Sequence, residues 1–343
     1  MNPNALIPDW EIPEFLGLVW PENLQDKETK ALAKKFYPDL IRILLEEIPE
    51  QVSLAIIHRS GKGEHISKDL GTEQIKLIED DKIQDIWIRD FAPFWKQSEN
   101  GNVPVKGFYF PDYMDEDYLQ ASENDEAAGI KLGGEKTEII SIGDDEILMD
   151  GGNLTHNGSG FGVMTNRLVS DNDYYFYTRV LKMVKSYLGL QKVVLVPVEY
   201  GDVTGHVDGI VRFISENEAF VSEYPYKWEE KKNYIDKEDY LFEREQLNEI
   251  ATHLQTHNLK VFRIPNGVPQ ISELGSAVGN YTNFLRVGEK VFVPQYGHAE
   301  QDGAALEAFE AAGFSKAHII PVPDCVELAE LGGVLNCITT HIY

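Results

Sequence analysis

The chain has few cysteines and no long apolar segment. Only two of its 343 residues are cysteine, and it lacks the run of about 18 apolar residues that a membrane-spanning helix requires. The N-terminal sequence MNPNALIPDWEIPEF has no basic region followed by an apolar stretch, so no secretory signal is predicted. We therefore expect a cytoplasmic protein with no membrane partner, whose thiols stay free in a reducing compartment.

Basic residues are also scarce. The sequence holds 31 Lys and Arg against 57 Asp and Glu, which gives a formal net charge of −26. Nucleic acid is excluded as a partner, because binding to phosphates needs a surplus of basic side chains. An acidic field can instead be focused into a cleft and attract small cations, although solubility alone accounts equally well for the charge.

Motifs that would bind a cofactor or a metal are missing. The glycines at 158, 160 and 162 form neither the GxGxxG nor the GK[ST] pattern of nucleotide-binding loops. The stretch HLQTH places His253 and His257 one helical turn apart, but it lacks the glutamate of the metalloprotease motif. A solvated helix face explains this pair better, so we expect no cofactor and no metal.

Short apolar runs alternate with longer helical patterns. Four runs rich in β-branched residues predict buried strands: VVLVPVEYG, KVFRIPNG, KVFVPQYG and AHIIPVP. Three stretches predict helices, the last of them ended by Gly313: DYYFYTRVLKMVKSYLGL, EDYLFEREQLNEIATHLQTHNL and GAALEAFEAAGF. The alternation predicts an α/β fold, and the similar strand endings favour a repeated, propeller-like arrangement over a doubly wound sheet. No break in composition divides the chain, so we predict one domain over residues 1–343.

One segment between these elements is strongly acidic and rich in turn residues. It has the sequence PDYMDEDYLQASENDEAAG and covers residues 111–129. We predict a surface loop or a partly mobile lid here.

The stretch GDVTGHVDGIVRF brings a histidine close to a carboxylate. Its small and then β-branched residues predict a strand, in which alternation places His206 and Asp208 on one face. A lone histidine in a strand is more often structural than catalytic. The flanking glycines and the neighbouring carboxylate make a catalytic role a candidate, beside the structural one.

Further carboxylates lie among aromatic residues and beside glycines. In DIWIRDFAPFW, Asp90 and Arg89 stand next to Trp87, and acidic groups are rarely buried without a partner. One interpretation pairs Arg89 with Asp90 or Asp85 as a structural ion pair. The other has Asp90 bind a cation beside an aromatic wall. The stretch MDGGN places Asp150 ahead of two glycines, where the backbone can bring a carboxylate to a site.

The C-terminal sequence LGGVLNCITTHIY holds the most informative cysteine, Cys337. A buried, inert thiol is one interpretation. The other is a nucleophile delivered by the last strand, which needs a base and a group that orients that base. The candidates for that chemistry are this thiol, one histidine and three aspartates.

At these residues the sequence resembles the agmatine deiminase and bacterial peptidylarginine deiminase family of the guanidine-modifying superfamily. Four blocks occur in the family's order: WIRDFAP, DGGN, TGHVDG and the terminal NCIT. The resemblance spans nearly the whole chain. It implies a five-bladed pseudo-symmetric α/β propeller of repeated ββαβ units, with the active site on the central axis.

The resemblance also implies roles for individual residues. Cys337 matches the family's nucleophile and His206 its acid/base. Asp90 and Asp208 match the carboxylates that hold the guanidinium. They would grip this planar cation through paired, charge-assisted hydrogen bonds. Because like charges disfavour a thiolate, we expect the pKa of the Cys337 thiol to be raised.

Other matches and departures concern the walls of the site. Asp150 takes the place of an additional acidic residue of the family, usually glutamate, and Asn283 matches an asparagine near the pocket. Trp87 is expected to form a wall. The family typically has histidine before the cysteine and a glutamine-rich segment after it, whereas this chain has Asn336 and ITTHIY. These departures question agmatine itself as the substrate.

The expected function is deimination of a small cationic guanidine, with agmatine as the first choice. The product would be a ureido compound, N-carbamoylputrescine from agmatine, in the biosynthesis of the polyamine putrescine. Alternatives within the superfamily are a peptidyl- or free-arginine deiminase and an amidinotransferase. An alternative of a different class is a non-catalytic propeller that binds cationic ligands. Whether the chain forms a homo-oligomer stays open.

Overall fold

The computed structural model describes residues 4–21, 31–32, 34–61, 66, 68, 74–114, 116–224, 236–267 and 276–343. Within these residues, five sheets have three or four strands, and a short hairpin forms a further pair. The first two sheets contain β1 (Phe15–Val19), β2 (Ser53–His58), β3 (Ile75–Glu79) and β18 (Thr340–Ile342), then β4 (Phe94–Lys96), β5 (Val103–Lys106) and β6 (Glu138–Ile139).

The hairpin and the other three sheets follow in chain order. The hairpin pairs β7 (Ser141–Ile142) with β8 (Asp145–Glu146). The sheets contain β9 (Thr155–His156), β10 (Phe161–Thr165) and β11 (Lys192–Val196), then β12 (Val211–Ser215), β13 (Glu218–Glu223) and β14 (Lys260–Pro265), and finally β15 (Leu285–Val287), β16 (Lys290–Pro294) and β17 (Ile319–Val322).

Helices connect the strands or precede them. Their bounds are α1 (Phe36–Glu47), α2 (Ile88–Phe91), α3 (Glu116–Gly133), α4 (Arg167–Ser170), α5 (Tyr177–Tyr187), α6 (Lys237–Gln255), α7 (Ala299–Ala311) and α8 (Val326–Ala329). Local chemistry defines several ends. The Asp236 carboxylate caps α6 by accepting from the backbone N–H groups of Glu238 and Asp239 at 2.8 and 3.0 Å. Gly313 follows α7 with a φ of +96°, a conformation that glycine adopts freely.

The same order of elements recurs in the five sheets. In each, an antiparallel pair is followed by a helical connection to a parallel strand: β4–β5 then β6, β9–β10 then β11, β12–β13 then β14, and β15–β16 then β17. In the remaining sheet the C-terminal strand β18 pairs antiparallel with β1, and β1 pairs parallel with β2. The last strand thus completes the sheet that the N-terminal strands begin.

The predicted strands and helices are confirmed where the sequence patterns were strong. The four apolar runs form β11, β14, β16 and β17, and the three helical patterns form α5, α6 and α7. The α/β class is therefore correct. Closure of the five sheets into a propeller stays a prediction.

The prediction of a loop over residues 111–129 is wrong from Glu116 onward, where helix α3 begins. Its acidic residues are not all solvated. Asp125 is fully buried, and the carboxylate of Glu126 pairs with the buried ammonium of Lys106. Buried partners therefore offset the like charges that favoured a mobile loop.

The hydrophobic core is spread over four buried clusters that lie between the sheets and their helices. The largest contains the aromatic group of Phe220, Phe284 and Phe309, whose ring centroids lie 4.8 to 6.2 Å apart. Aromatic pairs at such spacing stabilise a core beyond the burial of area. None of the helices in the described part of the chain combines the length and apolar character needed to span a bilayer.

Candidate active site

Five of the predicted site residues occupy corresponding places in the five sheets. Asp90 precedes β4, Asp150 precedes β9, Asp208 precedes β12, Asn283 precedes β15 and Cys337 precedes β18. Each therefore lies just before an edge strand that pairs antiparallel with its neighbour in the sheet. Repetition of one structural unit accounts for how residues so distant in sequence reach one site.

Cys337 lies in a turn between α8 and β18, not on the last strand as predicted. The backbone N–H of Arg89 donates to the Cys337 carbonyl at 3.1 Å, which joins this turn to α2. A Cβ added at Gly333 would lie 2.5 Å from the Trp87 ring and 3.0 Å from the Cys337 Cβ. Glycine at this position lets the indole pack beside the turn that carries the thiol. A wall formed by Trp87 stays a prediction.

Asn283 holds both the backbone and the sulfur of the cysteine. Its Oδ1 accepts from the backbone N–H groups of Asn336 and Cys337 at 3.1 and 3.3 Å. Its Nδ2 donates to the Cys337 Sγ at 3.2 Å. Oδ1 also lies 3.5 Å from the Cys337 Sγ, so both ends of the amide contact the sulfur, with the N–H group the nearer of the two.

His206 and Asp208 lie in a loop, and the predicted strand begins only at Val211. Gly205 has a φ of +63°, which interrupts an extended chain just before the histidine. The Asp202 carboxylate also accepts from the His206 backbone N–H at 3.2 Å and fixes the turn. Strand alternation is therefore not what brings the two side chains to the site.

The imidazole of His206 is buried between two carboxylates. Its Nε2 lies 3.1 Å from Asp150 Oδ2, and its Nδ1 lies 3.5 Å from Asp90 Oδ1. Burial alone would lower the pKa of His206, but the charges of Asp90, Asp150 and Asp208 outweigh it and raise the pKa above its usual value. The group is an imidazolium at neutral pH and can donate a proton.

Asp90 is packed tightly against the glycine pair of MDGGN. Its Oδ1 accepts from the Gly152 backbone N–H at 2.9 Å. A Cβ at Gly152 would lie 2.6 Å from both Asp90 Oδ1 and His206 Nδ1. Burial and the charges of Asp150 and Asp208 raise the pKa of Asp90. A bound cation would relieve this repulsion among three carboxylates.

Asp208 lies close to the thiol of Cys337. Its Oδ2 accepts from the Asn336 Nδ2 at 2.7 Å and lies 3.6 Å from the Cys337 Sγ. Burial, and then the charges of Asp208 and Asp90, raise the pKa of Cys337 well above its usual value. The direction agrees with the expectation from sequence, although burial contributes more than the carboxylates. The thiol is protonated at neutral pH before a ligand binds.

Arg89 is tied to the C-terminal segment. Its Nε lies 3.5 Å from the Asn336 carbonyl oxygen, and one of its Nη atoms lies 3.4 Å from His341 Nδ1. The described contacts of Asp90 are instead with Gly152 and His206. Asp90 thus faces the site, as the second of the two interpretations of this stretch expects.

Tyr113 is a further site residue, which the sequence did not predict. Its hydroxyl donates to Asp150 Oδ2 at 3.1 Å, and its ring lies edge-to-face with His206 at 6.3 Å between centroids. The Arg167 guanidinium also lies over the Tyr113 ring, with its Cζ 4.8 Å from the ring centroid. Tyr113 lies in the segment that was predicted to be a lid, and no motif marks it.

The two histidines of HLQTH lie away from these carboxylates in sequence and are involved in local contacts. Their ring centroids are 4.8 Å apart, and His257 Nδ1 lies 2.8 Å from the Lys192 ammonium. Over the residues that the structure describes, no group of three or more His, Cys, Asp or Glu is arranged to hold a metal ion.

The chain is similar to known proteins over nearly its whole length. A family model described as Porphyromonas-type peptidyl-arginine deiminase matches residues 5–342. A protein of Streptococcus mutans named "Putative agmatine deiminase" is 24% identical over 366 residues, which cover 96% of this chain and 93% of that protein.

Solved structures share the fold. An agmatine deiminase of C. jejuni superposes with a TM-score of 0.78 at 20% identity, covering 99% of this chain and 96% of that one. An agmatine deiminase of Enterococcus faecalis gives a TM-score of 0.76 at 18% identity, with the same coverage of both chains. The α/β fold is therefore that of these structures.

Proposed function

The chain belongs to the Porphyromonas-type peptidyl-arginine deiminase family, and from this membership we propose that it hydrolyses the guanidinium group of a small cation to a ureido group. It is an enzyme that hydrolyses C–N bonds of guanidino compounds. The proposed reaction proceeds through an S-amidino intermediate on Cys337, with agmatine as substrate and N-carbamoylputrescine and ammonia as products.

One observation carries this proposal: a buried thiol and a buried imidazole border the same group of carboxylates. Asp208 lies 3.6 Å from the sulfur, and Asp90 and Asp150 flank His206 within 3.5 Å. A guanidinium bound between these carboxylates would have acceptors for the N–H groups of both edges, and its central carbon would lie next to the sulfur. Nearness of the reacting atoms would then lower the barrier.

The covalent step follows from these positions. The sulfur bonds to the guanidinium carbon, a C–N bond breaks, and the departing nitrogen leaves as ammonia after taking a proton from His206. The thiol loses its proton to solvent as the guanidinium cation binds, so His206 is neutral once it has given up its own proton. Water then adds to the carbon and the C–S bond breaks, which releases the ureido product, the free thiol and one proton. His206 acts as the acid in the first half and as the base in the second.

The charge near the site supports agmatine over arginine. Arg167 stacks on Tyr113 beside His206, but Asp112 and Asp171 pair with its guanidinium. This cation is thus compensated, and the carboxylates around it favour an ammonium over a carboxylate at the far end of the substrate. The alternative is a free- or peptidyl-arginine deiminase, which needs an uncompensated cation at that end.

The architecture supports a single catalytic domain. We propose that the five sheets are the blades of a pseudo-symmetric propeller that spans residues 1–343, with the site on its axis. The corresponding positions of Asp90, Asp150, Asp208, Asn283 and Cys337 before the antiparallel edge strand of each sheet support this arrangement.

A panel of guanidines tests the function. Agmatine, arginine and a peptide with internal arginine are incubated with the protein, and both ammonia and ureido product are measured. We expect turnover of agmatine above the other two, and no turnover by Cys337→Ser. Equal turnover by that variant would refute the cysteine mechanism. Binding of agmatine without product would favour a non-catalytic binding protein.

An amidinotransferase is tested in the same assay by adding an acceptor amine. A transferase would release an amidinated amine in place of ammonia. Ammonia in equal amount to the ureido product, with and without the amine, would support hydrolysis.

A further inference from the structure

The side-chain amide of Asn336 contacts the carboxylate that borders the nucleophile. Asn336 is buried, with 3% of its surface exposed. Its Nδ2 donates to Asp208 Oδ2 at 2.7 Å, and the same oxygen lies 3.6 Å from the Cys337 Sγ. The amide therefore acts on the carboxylate oxygen that the thiol also faces.

The other end of this amide is buried at a small cavity. Among the residues that the structure describes, Asn336 Oδ1 is buried without a hydrogen-bond partner, and so are one Nη atom (Nη1) of Arg212 and Nδ1 of His156. All three residues line one small internal cavity, together with Asp208. A buried polar atom without a partner destabilises the folded protein. Polar cavities of this kind hold ordered water.

Arg212 is held firmly on the far side of the cavity. Its Nη2 donates to Asp9 Oδ2 at 2.7 Å, and its guanidinium stacks on the Phe284 ring at 4.9 Å. Its remaining Nη1 can only donate, and Asn336 Oδ1 can only accept. One water molecule between them would accept from the first and donate to the second.

We propose that Asn336 is a positioning residue, which holds Asp208 through its Nδ2 and is itself oriented by Arg212 through one water molecule in this cavity. The proposal rests on the proposed function, since Asp208 is the carboxylate assigned to the guanidinium. The Asp208 carboxylate, which can only accept, selects the Nδ2 end of the amide, and the water adds a hydrogen bond that holds the Oδ1 end. A flipped amide would place an oxygen against the carboxylate and lose the hydrogen bond.

The position also distinguishes this chain from the family pattern, which has histidine before the cysteine. An asparagine amide keeps a donor toward Asp208 at every pH, because it does not titrate. A histidine in its place can donate through a ring N–H, so Asn336→His is a conservative variant that restores the donor.

Four variants test the proposal: Asn336→Ala, Arg212→Lys, the double variant and Asn336→His. Steady-state kcat and KM are measured with the guanidine that the panel identifies. The rate at which iodoacetamide alkylates Cys337 at pH 8 is measured separately, and mass spectrometry identifies the modified cysteine. Arg263→Lys is the control, because Arg263 is also bound through its Nη atoms, to Asn248 and Ser222, but lies outside the site.

We expect Asn336→Ala to lower kcat/KM about tenfold to a hundredfold, which is the range for a lost hydrogen bond to a charged group. Asn336→His should recover most of this loss. Arg212→Lys should lower kcat/KM several-fold on its own, yet leave the Asn336→Ala variant unchanged within about twofold. The variants that lower kcat/KM should also slow the alkylation of Cys337. When Asp208 loses the hydrogen bond from Asn336, its charge disfavours the neighbouring thiolate more strongly.

The proposal would be overturned if Asn336→Ala and Arg212→Lys lowered kcat/KM independently, so that the loss in the double variant equalled the product of the two single losses. It would also be overturned if Arg212→Lys had no more effect than the control Arg263→Lys. If no guanidine is turned over, the proposed function fails, while the alkylation rates still test the link from Arg212 to Asp208. Thermal melting checks that each variant folds. If Asn336→Ala does not fold, Asn336→Ser replaces it, because its side chain is too short to reach Asp208.

Discussion

The side-chain amide of Asn283 contacts both the backbone and the sulfur of Cys337: Oδ1 accepts from the cysteine backbone N–H at 3.3 Å, and Nδ2 donates to the sulfur at 3.2 Å. One residue thus sets the position of the turn and provides a hydrogen bond to the developing thiolate. Such a donor becomes stronger as the sulfur gains negative charge.

Asn283→Asp tests this donor. The carboxylate can still accept from the backbone N–H groups, but it turns a negative oxygen toward the sulfur. We expect kcat/KM to fall at least about a hundredfold, since both a donor is lost and a like charge is added. Alkylation of Cys337 by iodoacetamide should shift to higher pH. A variant with wild-type kinetics would show that the amide does not act on the thiolate.

Asp208→Asn should separate thiol reactivity from catalysis. Its charge is one of the causes that raise the pKa of Cys337, so removing it lowers that pKa and increases the thiolate fraction at neutral pH. We expect alkylation at pH 7.5 to accelerate about tenfold, roughly one pKa unit, while turnover is lost. Alkylation that is no faster than in the wild type would mean that burial alone controls the thiol.

Gly152→Ala should disrupt the site without unfolding the protein. The added Cβ would lie 2.6 Å from both Asp90 Oδ1 and His206 Nδ1, which forces these two groups apart. We expect turnover to fall at least about a hundredfold, because misplaced catalytic groups are costly. Circular dichroism and melting temperature check that the fold persists.

Gly303→Ala is the matched control for this substitution. Gly303 lies within α7, and a Cβ there meets nothing within 4 Å. Activity should stay at the wild-type level, and alanine should stabilise the helix by roughly 0.5–1 kcal/mol. Equal loss of activity in both variants would contradict the steric explanation.

Stability should fall as pH rises because of Asp125 in α3. Burial, and then the charge of Asp85, raise the pKa of Asp125 to about 8. In the unfolded chain the pKa of an aspartate is about 4. Between these values the folded state binds more protons than the unfolded state. The contribution of Asp125 to the free energy of unfolding is therefore fully present below about pH 4. It is lost as the pH rises toward 8, by at most about 1.4 kcal/mol per pH unit.

Asp125→Asn removes this titration. Urea denaturation at several pH values from 5 to 9 should give a flatter pH dependence for the variant than for the wild type. The two proteins should differ most at pH 9, where the wild type carries a buried charge. Parallel pH profiles would show that Asp125 does not titrate in this range.

The strand and helix patterns were predictable because they depend on local chemistry. KVFVP forms β16 and the amphipathic stretch after Asp236 forms α6, since apolar periodicity and a side-chain cap act over a few residues. Two local predictions failed for reasons outside the local sequence. His206 lies in a loop because Gly205 adopts a positive φ. The acidic segment is helical from Glu116 because buried partners, among them Lys106, offset its charge.

The sequence by itself determined the acidic character, the α/β alternation and the set of reactive side chains, through composition and short motifs. Only the tertiary structure decided how they act together. Repetition of one sheet unit brings Asp90, Asp150, Asp208, Asn283 and Cys337 before equivalent strands. The partners of Asn336 likewise come from segments far apart along the chain. Burial then strengthens the interactions among the carboxylates, the thiol and the imidazole of the site. The pKa values of the thiol and the imidazole depend on neighbouring charges and on desolvation, which the linear sequence does not specify.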